Sequence, residues 1–356
     1  MMAVPSRIRT QKGWPDATMS ASGQVRWGIV GTANIARAQF LPGLRQAGGI
    51  AAAVASRDAA RAAQFASDHG IGRSIAGYEN LITDPDLDAL YIPLPNSLHA
   101  EWTIRALEAG RPVLCEKPLC GTLPDTERVL EVAARTGTLL WEAFAFPFHL
   151  QLHEIRRLLQ DGAIGELTEI KSNFHFSLRN PANIRLSRSL QGGALLDVGC
   201  YPVRLAQELF GPAYDAAWAS AVMGGDGVDV DTWGVLNYPG GRRLMLSSGL
   251  GRSYDTFTTL EGTSGQIRIT NPFHPGPSDS YQLVVRSSED RTFSSGAHEP
   301  SFTAALRHIH AVLGGSEPPR QLAVETSLPT ARALADLAAW LRPPEPTRPG
   351  AADGSG

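Results

Sequence analysis

From residue 25 onward the chain alternates short apolar runs with stretches of helical periodicity. Residues 25–30 predict a buried strand. Residues 34–46 predict a helix with its apolar face on Ile35 and Leu44, kinked or divided at Pro42. A second strand follows over 50–55. The Ala-rich stretch 57–69 predicts a helix ended by Gly70. Residues 89–92 predict a short strand. Leu98, Trp102, Ala106 and Ala109 then recur at helical spacing until Gly110 and Pro112 stop the helix. Strands over 113–115 and 138–143 flank a helix opened by Pro124. Strand and helix alternating in this way build βαβ units and a parallel sheet with right-handed crossovers. The first half is therefore expected to be an α/β domain of the doubly wound Rossmann type, spanning residues 24–143.

The pattern changes near residues 143–147. Phe148, Leu152, Ile155 and Leu159 mark one more amphipathic helix. After Gly165 the runs become long and strand-like, over 167–178, 216–223, 229–238, 242–250, 254–260, 267–269 and 281–285. Pro239-Gly240-Gly241 and Gly262-Thr263-Ser264-Gly265 supply turns between them. Two helices close the chain, over 302–313 and on Leu334, Leu337 and Leu341. This predicts a second α/β domain, residues 144–342, with a large, mainly antiparallel sheet. Seven runs against two closing helices leave one sheet face uncovered, and a closed symmetric assembly is the usual way to bury it. A homodimer or homotetramer through the C-terminal sheet is expected. Residues 1–23 are polar, carry Arg7, Arg9 and Lys12, and contain Pro5, Gly13 and Pro15 without an apolar run. They read as a disordered extension, not a signal peptide, with Met19 an alternative start. The Pro/Gly-rich residues 343–356 read as a disordered tail.

Composition narrows the function. The 356 residues are 43% hydrophobic and 19% charged, an ordinary globular mix for two domains. A net charge of −3 leaves no electrostatic footprint for nucleic acid or an anionic membrane. No apolar stretch reaches the length of a membrane span. The three cysteines, Cys115, Cys120 and Cys200, form no CxxC pair, so neither a disulfide framework nor zinc is expected, and a cytoplasmic location fits. His149, His153 and His175 have no metal-binding spacing, and His308 and His310 face different sides of one helix. No metal is expected, and hydrolase and Walker motifs are absent.

Four groups of residues could carry chemistry. Gly31, Thr32, Ala33, Asn34 and Ile35 lie where the first strand turns into the first helix. A dinucleotide pyrophosphate needs a tight turn and free backbone N–H groups there. Gly31 supplies the turn, Ala33 stands where the usual fingerprint has its second glycine, and Ala36 where it has its third. Ser56 and Arg57 end the second strand, where a ribose-binding carboxylate would select NAD. A hydroxyl and a guanidinium suit a 2′-phosphate instead, although an N-cap serine beside a solvated arginine fits the same residues. NADP is the expected cofactor, with NAD the alternative. Glu116 and Lys117 follow the strand 113–115, and Pro118 restricts the turn to a rigid, cis or trans, form. Lys117 is thereby aimed beyond the carboxyl ends of the strands, where ligands bind. Asp197 and Tyr201 lie four apart at the start of a helix that Pro202 confines to its first turn. A lysine, a carboxylate and a phenol in one cleft form a proton-transfer set. Pro93, Asn96 and His99, just past the strand 89–92, are candidates for the nicotinamide end of the crevice.

In this order these residues resemble the Gfo/Idh/MocA family, from about Val25 to Leu341. The specific part is Glu116-Lys117-Pro118 coupled to Asp197-x-x-x-Tyr201 about 80 residues later. The stretches Gly31 to Ala36, Glu142-Ala143-Phe144 and Gly192 to Pro202 resemble the dihydrodiol and D-xylose dehydrogenase branch. Tyr201 stands where inositol dehydrogenases typically carry His. The stretch from Ala145 to Leu150 departs from the branch's Met-Tyr-Arg-Phe-His-Pro wording and lacks its Arg. The resemblance implies reversible oxidation of a cyclic sugar or related secondary alcohol. Lys117 would hold the reacting oxygen, Tyr201 or Lys117 would take its proton, and Asp197 would orient the substrate. Asn183 and Arg185 would bind substrate hydroxyls at the rim. A glycosidase using tightly bound NAD and a non-catalytic regulatory or structural protein are the alternatives; the presence of both Lys117 and Tyr201 argues against a site stripped of its chemistry.

Overall fold

A computed structural model of the chain describes residues 23–275, 282–286, 291–294 and 299–341. Most of the expected N-terminal extension, the tail at 343–356 and Tyr281 at the head of the last expected strand lie outside the described residues. The first sheet has six parallel strands, β1 (Arg26–Val30), β2 (Ile50–Ser56), β3 (Arg73–Ala76), β4 (Ala89–Ile92), β5 (Val113–Cys115) and β6 (Leu140–Glu142). Their order is β3-β2-β1-β4-β5-β6, the doubly wound order expected. The order reverses between β1 and β4, which opens a crevice at their carboxyl ends. Strand β3 was not predicted, because it is an exposed edge strand without an apolar alternation.

The helical stretch after β1 is wound as a π segment over Ala36–Phe40, followed by α1 (Leu41–Gln46). The wider winding rotates the apolar stripe. Its buried members are Ala36, Phe40, Leu41 and Leu44, and the expected Ile35 is only half-buried. Pro42 lies at the first turn of α1, where its missing N–H is harmless. Phe40 stacks on Tyr91 with ring centroids 4.0 Å apart. Helices α2 (Ala59–His69), α3 (Tyr78–Ile82), α4 (Asn96–Glu108) and α5 (Leu123–Thr136) complete this half. Asp58 caps α2 by accepting from the N–H groups of Ala60 and Arg61, so the cap is not Ser56.

The second half contributes α6 (Leu150–Gln160), β7 (Leu167–Ser177), α7 (Cys200–Phe210), β8 (Ala216–Met223), β9 (Asp229–Tyr238) and β10 (Arg242–Gly249). Then come β11 (Gly251–Asp255), β12 (Thr258–Gly262), β13 (Gln266–Ile269), β14 (Gln282–Arg286) and β15 (Arg291–Ser294). These strands form one nine-stranded sheet, β15-β14-β13-β12-β7-β10-β9-β8, with β11 also on β7. It is antiparallel except for the β7–β10 pair. The run expected over 254–260 is two strands, because pairing with β7 is interrupted around Thr256 and Phe257. Ile170, Phe174, Leu236, Leu244, Leu246 and Leu260 line the inner face of the sheet with Leu195, Tyr201 and Leu205. Each such side chain stabilises the fold by about 1.5–3 kcal/mol when fully buried.

Helices α8 (Ser301–Leu313) and α9 (Ala323–Ala339) do not both cover that sheet. Phe302, Leu306 and Ile309 of α8 join Trp27, Phe40 and Leu44 in the N-terminal core. Trp27 Nε1 donates to His310 Nε2 at 3.0 Å. Helix α9 bridges the halves, with Ala323 in one core and Leu334 and Leu337 in the other. The sequence division at 143/144 thus splits the chain but not the cores: α8 and the start of α9 return to the Rossmann half. On the outer sheet face Trp218, Val222, Trp233 and Met245 are between 42% and 52% exposed, a contiguous apolar surface.

Candidate active site

Lys117 leaves the end of β5 on a turn that is held from three sides. Its peptide bond to Pro118 is cis. Leu119 N–H donates to Glu142 Oε1 at 2.7 Å, and Ser327 Oγ of α9 donates to Glu142 Oε2 at 2.6 Å. Tyr91 hydroxyl donates to Glu116 Oε1 at 2.6 Å. The two ring nitrogens of His99 lie 3.0 and 2.7 Å from the carbonyl oxygens of Pro118 and Leu94. Burial raises both the Glu116 and the Glu142 carboxyls above their ordinary values. The turn is therefore fixed by buried hydrogen bonds, and Lys117 projects from it with 10% of its side chain exposed.

Lys117 meets the start of the helical stretch that leads into α7. Residues Leu195–Gly199 are wound as a π segment. The Asp197 carbonyl accepts from Lys117 Nζ at 2.6 Å and from Cys200 Sγ at 3.5 Å, and Asp197 Oδ1 lies 3.5 Å from the same lysine nitrogen. Arg185 Nε donates to Asp197 Oδ2 at 2.6 Å. The carboxylate thus sits between two cations. Burial works against its charge, but Lys117 and Arg185 outweigh burial and hold Asp197 below its ordinary value.

Tyr201 is buried at 6% exposure in a cage of Phe144, Phe146, Phe174 and Phe273. Lys117 Nζ stands 5.0 Å from the centre of its ring, a cation–π contact. The Tyr201 hydroxyl lies 3.1 Å from His274 Nε2. Burial drives the phenol well above its ordinary value, with the Lys117 ammonium pulling the other way, so Tyr201 is a neutral phenol. Burial opposes the charge on Lys117, yet the oxygens of Tyr201 and Asp197 leave it above the ordinary lysine value. The arrangement can hold an oxygen on an ammonium group and supply or take a proton beside it.

The predicted residues are distributed as follows. Lys117, Asp197, Tyr201 and Arg185 converge on one point. Gly31 to Ile35 and Ser56-Arg57 lie at the carboxyl ends of β1 and β2, and Pro93 and Asn96 past the end of β4. Three expectations need correction. His99 is fully buried with both nitrogens against carbonyls, so its ring does not face the crevice. The Glu116 carboxylate points inward to Tyr91, which makes it a strut for the Lys117 turn. Asn183 spends its side-chain oxygen capping the short helical turn Ile184–Leu186, and Arg185 pairs with Asp197 instead of standing free at the rim. Asn96 donates from Nδ2 to the Gln191 carbonyl and so ties the α4 end to the glycine-rich loop before α7. His274 and Tyr91 were missed, since each lies far in sequence from its partner and belongs to no motif; Glu142 stands in the Glu142-Ala143-Phe144 stretch, but its bracing of the Lys117 turn has no local signal.

Gly31 has φ +109°, a backbone conformation that residues with a side chain rarely adopt, so this turn favours glycine. Among the described residues Arg57 is exposed and pairs with no carboxylate, while Asp58 is engaged in capping α2. These features fit a dinucleotide phosphate at the ends of β1 and β2. No group of His, Cys, Asp and Glu able to hold a metal is present among the described residues, and no described helix is long and apolar enough to cross a membrane.

The fold defines a protein built on a Rossmann domain. The chain belongs to the GFO/IDH/MocA family of NAD(P)-dependent oxidoreductases. Residues 25–144 match the model of the oxidoreductase family with an NAD-binding Rossmann fold, and residues 152–268 match the GFO/IDH/MocA C-terminal domain. The chain is 37% identical to D-xylose 1-dehydrogenase (NADP(+)) 2 of Haloferax volcanii, over 79% of this chain and 88% of that one. It is 39% identical to the dTDP-3,4-didehydro-2,6-dideoxy-alpha-D-glucose 3-reductase of Saccharopolyspora spinosa, over 74% and 79% respectively. Among solved structures it is similar to KijD10, a 3-ketoreductase from Actinomadura kijaniata in complex with NADP and TDP-benzene. There the TM-score is 0.83 at 32% identity, covering 90% of this chain and 98% of that one.

Proposed function

We propose that this protein is an NADP-preferring dehydrogenase or reductase of pyranose-type sugars, with Lys117, Asp197 and Tyr201 as its catalytic residues. The observation that carries the reading is the buried contact of Lys117 with both the carbonyl and the carboxylate of Asp197, beside the Tyr201 ring. When bound, the nicotinamide ring gives or accepts the hydride. Gly31, Thr32, Ala33, Asn34 and Ile35 would hold the pyrophosphate, Ser56 and Arg57 the 2′-phosphate, and Pro93 and Asn96 would border the nicotinamide. Lys117 holds the reacting oxygen of the sugar and stabilises negative charge on it as the carbon changes oxidation state. Tyr201 exchanges the proton of that oxygen. Asp197 keeps the ammonium charged and aimed. Relatives that act on D-xylose and on a deoxysugar nucleotide favour a sugar-like substrate.

The test is NADP+ reduction with a panel of pyranoses, followed by absorbance of the reduced cofactor. Lys117→Ala should lower turnover by roughly 10²–10⁴-fold with cofactor affinity within a few fold, and Tyr201→Phe somewhat less. Unchanged turnover in both variants would refute the assignment. We also propose a homodimer or dimer of dimers through the apolar outer face of the large sheet. A cytoplasmic location is proposed from the cysteines, all three of them free and buried.

A further inference from the structure

Tyr201 presents its ring to Lys117 and its hydroxyl to a second group. That group, His274, lies in the short connection after β13. The connection is preset by its own hydrogen bonds. His274 N–H donates to Asn271 Oδ1 at 3.2 Å, and Asn271 Nδ2 donates to the His274 carbonyl at 2.7 Å. Gln151 Nε2 of α6 then anchors the Asn271 carbonyl at 3.1 Å. The imidazole packs edge-on against Tyr201 and Phe174, with centroids 5.1 and 5.8 Å apart. Tyr201 is buried, whereas His274 is partly exposed. A buried phenol that gives or takes a proton at each turnover must pass it on, and half-buried His274 is the group its hydroxyl meets.

We propose that His274 is the outer member of a proton relay, accepting the Tyr201 phenolic proton on Nε2 and passing a proton to solvent from Nδ1. This rests on the reading of Lys117 and Tyr201 as the proton-transfer pair. In the oxidative direction the substrate C–H bond breaks and its electron pair leaves with the hydride to the dinucleotide. The substrate O–H proton moves to the Tyr201 oxygen as the phenolic proton moves to His274 Nε2. The Nδ1 proton leaves to water, so one proton is released per hydride transferred, and once product has left, the ring exchanges its Nε2 proton with water and regains one on Nδ1, which restores the starting tautomer. Reduction runs the same path backwards. The relay requires a neutral imidazole with its proton on Nδ1. Burial, with the Lys117 ammonium nearby, pushes His274 down to about 4, so the ring is neutral at physiological pH. The charged groups facing it are Lys117 and Asp197. His274 acts through Tyr201 and is thus a positioning and relay residue, not one that touches the reacting atoms.

Two measurements test this. The first needs no substrate. In protein carrying 15N-labelled histidine, with His274→Gln used to assign the signal, His274 should be the Nδ1–H tautomer at pH 7. The Nε2–H tautomer overturns the relay. The second is turnover of NADP+ with D-xylose, or with the pyranose of the panel that the wild type oxidises. His274→Ala should lower kcat about 10- to 100-fold, less than loss of a group that meets the reacting atoms. KM and NADPH binding should stay within about twofold. Added imidazole should restore turnover to His274→Ala but not to His274→Phe, which fills the same space. In a Tyr201→Phe background the His274→Ala change should cost nothing further. A loss without imidazole rescue, or an added loss in that background, overturns the relay. Wild-type turnover in His274→Ala with low turnover in Tyr201→Phe overturns the relay alone. Wild-type turnover in Tyr201→Phe overturns the reading of the site on which the relay stands.

Discussion

Asp197→Asn isolates the charge at the centre of the site while keeping the shape of the side chain. In the wild type, Asp197 Oδ1 is 3.5 Å from Lys117 Nζ, and only 10% and 13% of the two side chains is exposed. At an effective dielectric of about 20, that separation corresponds to an attraction of ~5 kcal/mol. The second partner, Arg185, is 38% exposed, so water screens most of its contribution. Removing one member of a buried pair leaves the other uncompensated and costs about 3–5 kcal/mol. Because the Asp197 carbonyl still accepts from Lys117, the lower end of that range, about 3 kcal/mol, is expected. The assay is urea unfolding followed by tryptophan fluorescence, for wild type and variant across pH. Asp197 is held below its ordinary value of 3.8 in the folded chain. Its contribution is therefore complete at pH 7 and disappears only as pH falls through the depressed folded value. The gap between the two proteins should be full at pH 7 and narrow below pH 4. Equal stability at pH 7, or a gap that stays constant into acid, would refute the electrostatic account.

Two further outcomes follow from the structure. Arg57→Ala should weaken NADP binding about tenfold or more and leave NAD binding nearly unchanged, because a charge-assisted phosphate contact contributes about 1.5–3 kcal/mol. Titration of both cofactors checks this, and tighter binding of NAD by the wild type would show that Ser56 and Arg57 do not read a phosphate. Trp233→Glu, at the centre of the apolar outer face, should shift the protein to monomers in light scattering at micromolar concentration; a wild type already monomeric there would rule out assembly through the sheet.

Much of this protein was legible in its residue pattern, for local reasons. Buried parallel strands are short continuous apolar runs, so β1, β2, β4 and β5 announced themselves, while the exposed edge strand β3 did not. Gly31, Lys117-Pro118 and the Asp197/Tyr201 pair were legible because each sits at a strand end or helix start, where backbone chemistry restricts the residue types. What the pattern could not convey was contact between distant segments. The sequence reading spread the glycine turn, His99, Glu116 and Arg185 along the cofactor and substrate, yet packing turned His99 and Glu116 inward as braces and gave Arg185 to Asp197. Neither the π winding over Leu195–Gly199, nor the contact of Lys117 with the Asp197 carbonyl, nor the return of α8 to the first core, has a local signature. Nor does the placing of His274 against Tyr201. Periodicity reports which side of an element faces the core; only the closed tertiary structure decides which polar groups meet there, since their partners are chosen by burial across tens to hundreds of residues.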